Sequence, residues 1–138
     1  MKAIADTGFL VALVGTKDQF REWALEVADR VTWPVLTCEA VLAETAFHLR
    51  SSERVLGMLR DNLVRVAFDC GNQREQLYNL AKRYENRRPD LADLCLIRMS
   101  ELFPEHTILT VDEADFRVYR RNKREAIPLL TPPKKVIR

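Results

Sequence analysis

Five short apolar runs, set between segments of helical periodicity, constrain this chain more than any other feature. They are residues 3–6, Val35-Leu36, Val64 to Phe68, Thr107 to Val111 and Ile127 to Leu130. Runs this brief and uniformly apolar read as strands buried on both faces. The intervening segments read as helices. Residues 8–14 form a short one; Phe20, Trp23, Ala24, Val27, Ala28 and Val31, after Asp18, repeat at intervals of three and four. Thr37 is placed to cap a helix carrying Ala40, Val41, Ala43, Glu44 and Phe47. Further helices are expected over 53–62, over 73–86 with Leu77, Leu80, Ala81 and Tyr84 on one side, and over 91–103 before Pro104. Strand-helix alternation of this kind predicts an α/β fold whose mostly parallel central sheet is covered on both sides. At 138 residues the chain has room for one such domain, over 1–131, with 132–138 as a basic C-terminal tail.

Composition excludes several classes of function. Cys38, Cys70 and Cys95 are odd in number, far apart and without a CxxC pair, which argues against a disulfide framework or a zinc knuckle. Only His48 and His106 are available for a histidine site, so any metal must be held by carboxylates. No run approaches the length of a membrane span, and the N-terminus lacks signal-peptide character, so the expected compartment is the cytoplasm. Charge is unevenly placed. From Arg117 onward eight basic residues face the single acid Glu125, a net +7 that leaves −5 for residues 1–116 of a chain totalling +2. A basic segment beside an acidic centre suits a polyanion such as RNA or DNA, although Lys134 to Arg138, after Pro132-Pro133, reads as a solvated tail.

The acids are informative where they meet strand ends. Asp6 closes the run Ala3-Ile4-Ala5 and is followed by Thr7-Gly8; it is either a helix cap or a residue aimed into a site. The Asp-Thr-Gly tripeptide also occurs in aspartic proteases, but four glycines and several helices exclude that nearly all-β fold. Glu44 lies within the helix after the second strand, Asp90 and Asp93 share one face at the start of another, and Asp112 ends ILTVD with Asp115 soon after. In open parallel sheets ligands gather beyond the carboxyl ends of the strands. Four separate segments therefore deliver carboxylates to one rim. Such a cluster resists joint ionisation unless a cation resolves it; Mg²⁺ is the natural choice and Mn²⁺ its substitute. The chemistry suggested is phosphodiester hydrolysis. Taken singly, Asp90 reads as an N-cap and Asp115 as a turn residue. Asp18, Glu22, Glu26 and Asp29 read as a wet helix face, Trp23 and Trp33 as core or interface residues, and Cys95 as a packed thiol.

In order, IADTGFLVAL, TCEAVLAETAFHL, RRPDLADLCLIRMSE and ILTVDEADFRVYR resemble the acidic motifs of PIN-domain nucleases, particularly the small stand-alone VapC-type toxin ribonucleases. The likeness runs from Ala3 to Leu130. It implies a PIN-like three-layer α/β/α sandwich and metal-dependent RNA cleavage, with Asp6, Glu44, Asp93 and Asp112 as the acidic quartet. Asp6 and Asp93 would be the principal ligands of Mg²⁺, and Glu44 and Asp112 would complete the site. Asp90 and Asp115 are accessory candidates, Thr7 and Thr110 would orient a carboxylate or a water, and Arg117, Arg120 and Arg121 would meet the RNA backbone. The resemblance further implies a homodimer and an antitoxin partner, with the surfaces around Trp23 and from Phe47 to Leu56 as docking candidates. One departure is Gly8, where many relatives carry Ser. Two other readings keep the fold: a nucleic-acid-binding module without turnover, and a housekeeping RNA-processing nuclease without an antitoxin. Phosphoryl transfer through an aspartate nucleophile fits poorly, since haloacid-type phosphatases want a second Asp where this chain has Gly8.

Overall fold

The computed structural model describes residues 1–134; Lys135 to Arg138, the end of the expected basic tail, lie outside the described residues. The chain runs β1 (Ala3–Ala5), α1 (Thr7–Val14), α2 (Arg21–Ala28), β2 (Val35–Thr37), α3 (Glu39–Leu49), α4 (Ser52–Arg60) and β3 (Val64–Val66). It continues through α5 (Arg74–Arg83), α6 (Leu91–Leu102), β4 (Thr107–Leu109), α7 (Glu113–Val118), β5 (Arg120–Arg121), β6 (Glu125–Ala126) and β7 (Leu129–Leu130). Every expected strand is present; four are shorter than their apolar runs, and β2 extends one residue past Val35-Leu36 to Thr37. The residues just past β1 and β4, Asp6 and Thr110, keep their amides bonded to the Leu109 and Leu130 carbonyls while their side chains meet at the rim.

The five-stranded sheet has the order β3-β2-β1-β4-β7, and each neighbouring pair is parallel. Ile4 pairs with Leu36 on one side and Ile108 on the other. Successive side chains of a strand point to opposite faces, yet Ala3, Ile4 and Ala5, and likewise Val35, Leu36 and Thr37, are all buried. Both faces are therefore covered. The path moves from β1 out to β3 and then crosses back to β4, so the order reverses between β1 and β4. Right-handed crossovers then set α1–α4 over one face and α5–α7 over the other. Packing of α1 on α2 and α3, of α3 on α4, and of α5 on α6 agrees with this division.

Three details differ from the sequence reading. Thr37 does not cap α3: it lies in β2, and its buried hydroxyl donates to the Ala5 carbonyl at 3.0 Å, joining two strands while Cys38 takes the N-cap position. Of the two readings of Trp23, core and interface, the structure takes core, edge-on to Phe9 at 5.8 Å, so the surface around it is not available as the docking candidate. Helix α7 and the antiparallel β5–β6 hairpin were not expected, because six residues of helix and two of strand carry too little periodicity to register. They are held from outside: Tyr119 stacks edge-on with Tyr84 at 5.1 Å and Phe116 at 5.5 Å, and the Arg120 amide donates to the Tyr84 hydroxyl at 2.9 Å.

Tyr84→Phe removes the acceptor and leaves that amide without its partner. The expected result is a loss of about 1–2 kcal/mol of stability in urea unfolding, with the secondary-structure content unchanged.

Candidate active site

The reversal between β1 and β4 opens a crevice at the carboxyl ends of the strands, where ligands of such sheets bind. Asp6 stands at the end of β1, its amide still donating to the Leu109 carbonyl of β4 at 3.0 Å. One carboxylate oxygen accepts from the Thr7 amide at 2.7 Å, capping α1, and the other accepts from the Thr110 hydroxyl at 2.6 Å. The two alternatives left open for Asp6, cap and site residue, are thus the same geometry. Thr110, fully buried, accepts in turn from the Asp112 amide at 3.0 Å. Asp112 caps α7 through the Asp115 amide at 3.3 Å, and Asp90 caps α6 through the Asp93 amide at 2.8 Å. Glu44, from α3, accepts from the Thr7 hydroxyl at 3.3 Å.

These groups line one cleft of about 510 Å³. The four expected acids Asp6, Glu44, Asp93 and Asp112 lie in it, together with Asp90, Asp115 and Thr7, while Thr110 sits behind Asp6. Asp93, Asp112 and Asp115 each bring an oxygen within 4.8 Å of the other two. Asp6, its oxygens turned to Thr7 and Thr110, stands beside that trio. An all-oxygen donor set of this kind suits a hard divalent cation.

The electrostatics follow from crowding. Burial pushes the Asp93 carboxyl up to about 8, with the charges of Asp90, Asp6, Asp112 and Asp115 adding to it. Burial raises Asp6 to about 6 against the lowering pull of its bonds from Thr110 and Thr7, helped by Glu44 and Asp112. Glu44 is raised by burial and Asp90, and Asp112 by burial and the nearby Asp115 charge. The Tyr119 phenol, also facing the cleft, is raised by burial and the Asp93 charge. Seven carboxylates share this cleft with two guanidinium groups, an excess of acid that protons or a bound cation can relieve.

Five cleft residues escaped the sequence reading. Arg87 pairs with Asp115 at 3.0 Å and Arg88 stands beside it; their adjacency to Pro89-Asp90 was the available signal. His48 lies one helical turn past Glu44 and on the same face. Asp18 is not on a wet helix face: it precedes α2, accepts from the Phe20 amide at 2.8 Å and lines the cleft. No local pattern marked it or Tyr119. The arginines expected to meet RNA are placed elsewhere. Arg117 pairs with Glu113 at 3.1 Å, Arg120 donates to the Arg117 carbonyl at 2.7 Å, and Arg121 donates to the Pro104 carbonyl at 2.9 Å and to Glu125 at 3.2 Å.

The parallel sheet ordered 3-2-1-4-7, flanked by helices, is consistent with a PIN-like α/β/α sandwich. Among solved structures, the crystal structure of Mycobacterium tuberculosis VapC20, a sarcin-ricin loop cleaving toxin, is similar to this chain. The TM-score is 0.66 at 21% identity, over 78% of this chain and 87% of that one. No protein-family model matches the sequence, and no curated protein is significantly similar to it. The likeness to VapC20 is one of fold.

Two outcomes are expected of the site. Between the ordinary value of 3.8 and the Asp93 value of about 8, the folded chain holds a proton that the unfolded chain has released, so stability falls as pH rises across that window. Without divalent cations the melting temperature should drop from pH 5 to pH 8, Asp93→Asn should flatten the drop, and Mn²⁺ should raise the parent's melting temperature more at pH 8 than at pH 5. At Gly8, an added Cβ would stand 2.3 Å from Val111 Cγ2. Gly8→Ala should therefore cost about 1–3 kcal/mol through overpacking, exceeding the gain of about 1 kcal/mol in helix propensity, and Val111→Ala in the same chain should restore most of the loss in urea melts.

Proposed function

We propose that this chain is a Mg²⁺-dependent ribonuclease, with Mn²⁺ as a substitute ion, acting in the cytoplasm as the toxin of a toxin–antitoxin pair. The observation that carries the reading is the Asp93–Asp112–Asp115 cluster, within 4.8 Å, in a cleft shared with Asp6 and Glu44 on the fold of a solved RNA-cleaving toxin. Asp93, Asp112 and Asp115 hold the ion, with Asp6 and Glu44 completing the site. When bound, Mg²⁺ supplies Lewis acidity at the phosphodiester and lowers the pKa of a water. Thr110 and Thr7 fix the Asp6 carboxylate, so its charge meets the reacting region without reorganisation. Glu44, raised by burial and by Asp90, takes the proton of the attacking water on its carboxylate. Arg87 and Arg88 receive the phosphate backbone at the mouth of the cleft, and of the three arginines expected to meet RNA, the exposed Arg117 serves RNA that extends past α7, whereas Arg121 is held by Pro104 and Glu125.

The same reading includes a homodimer and an antitoxin whose C-terminal segment crosses the cleft. Phe47 and Leu56, on α3 and α4, are 80% and 60% exposed and offer it an apolar surface. Among the described residues no helix is long and apolar enough to cross a membrane.

Cleavage is measured with a sarcin-ricin loop hairpin and with an unstructured RNA, in Mg²⁺ and in chelator. Asp6→Asn and Asp93→Asn are each expected to lower the rate about 100-fold or more, and chelation to abolish it reversibly. Parent-like cleavage by both variants would remove the metal mechanism. Salt-sensitive RNA binding without cleavage at any Mg²⁺ concentration would favour a binding module.

A further inference from the structure

The amino ends of the strands, at the opposite end of the sheet from the acids, border a second cavity, of about 260 Å³. Strand register explains which side chains line it. Ile4 pairs with Leu36 and with Ile108, and Leu36 pairs with Arg65, so these four share one face of the sheet. Two residues earlier on three of those strands, and therefore on the same face, stand Lys2, Pro34 and His106; the Thr107 amide still donates to the Lys2 carbonyl at 3.0 Å. Helix α6 packs on β1 and β4, whereas β3 is the edge strand and its Arg65 stays exposed. Lys2, Arg65 and His106 line the cavity together with Trp33, and no carboxylate among the described residues does. Lys2 meets Glu105 at 3.9 Å, with both side chains exposed, a pair that water weakens. Arg65 enters no ion pair among the described residues. His106 Nδ1 is buried without a hydrogen-bond partner, which costs stability that packing does not return. An arginine on an edge strand guards by itself against unwanted pairing. That role requires neither an open indole nor a lysine and an unpartnered imidazole on the same cavity.

We propose that this cavity binds a nucleotide: Lys2 and Arg65 hold the phosphate, the Trp33 indole stacks the base, and His106 offers the nitrogen that its own chain leaves unpartnered. Two cations without a lining acid select an anion. An indole beside them selects an anion that carries a flat π face, because base–aromatic stacking is strong and tolerant of which base is present. An acidic peptide or a bare phosphate would engage the cations and leave the indole without a matching surface. The nucleotide is either free or one residue of a single strand, since both present the same phosphate and base. The site lies at the far end of the strands from Asp6 and Asp112 and stands independently of the nuclease reading.

The test titrates the full chain with adenosine 5′-monophosphate in chelator, which keeps divalent cations out of the acidic cleft, and follows binding by calorimetry and by tryptophan emission. Binding with quenching is expected, because Trp33 is 36% exposed whereas Trp23 is buried. Arg65→Gln, at an exposed position and with an unchanged melting temperature, should weaken binding about tenfold or more. Trp33→Leu should weaken it about tenfold and abolish the quenching. Inorganic phosphate and adenosine should each bind about tenfold more weakly than the nucleotide, or worse. A 5′-phosphorylated oligoadenylate separates the two sources: tighter binding than the monophosphate assigns the site to a strand, equal or weaker binding to a free nucleotide, with Arg65→Gln weakening either. The proposal is overturned if neither probe binds at millimolar concentration, if Arg65→Gln keeps the parent's affinity, or if inorganic phosphate or an acidic peptide binds as tightly as the nucleotide.

Discussion

The pairing of β1 with β4 is the constraint on which the site depends. It brings residues a hundred positions apart into register, and the ladder continues one step past β1 through the Asp6 amide. Beyond that step the two chains diverge, and the Thr110 hydroxyl spans the gap, donating to Asp6 and accepting from the Asp112 amide. One buried hydroxyl thus sets the positions of two acids on two strands. Because it is fully buried and both its bonds are made, neither acid can shift without leaving a polar group unsatisfied.

Capping and site-building are the same act in this molecule. Asp6, Asp90 and Asp112 each close the first turn of a helix, so three helix N-termini converge on the cleft. Their positive ends favour negative charge, which makes an acidic cluster more tolerable there than elsewhere. They do not neutralise it: Asp93 and Asp6 are raised well above the ordinary range. The ion pair of Arg87 with Asp115 balances one charge; the remainder is a crowding of carboxylates that could hold an oxygen-preferring cation.

Much of this was legible in the chain. Ile4, Leu36 and Ile108, buried on a two-sided sheet, read as strand because continuous short apolar runs have few other uses. Asp6, Asp93 and Asp112 stood out because each falls at a strand end or helix start, and Glu44 because it lies within the helix that follows the second strand. Helix α7 and the β5–β6 hairpin did not register, since Phe116 and Tyr119 gain their stabilisation from contacts with Tyr84 and with each other rather than from local pattern. The arginines after Val118 read as a basic patch, but a guanidinium near a free carbonyl or carboxylate binds it first, as Arg121 does with Pro104 and Glu125.

What the sequence by itself determined is the alternation of elements and the placing of acids at their junctions, because periodicity and capping act over a few residues. Only the tertiary structure decided which of those acids meet. The crossing from β3 back to β4 put Asp112 and Asp115 beside Asp93, turned Asp6 toward Thr110, and drew Asp18 and Arg87 into the cleft. Proximity of this kind is set by strand order, and strand order is chosen by the burial of the whole sheet, to which no single segment holds the key.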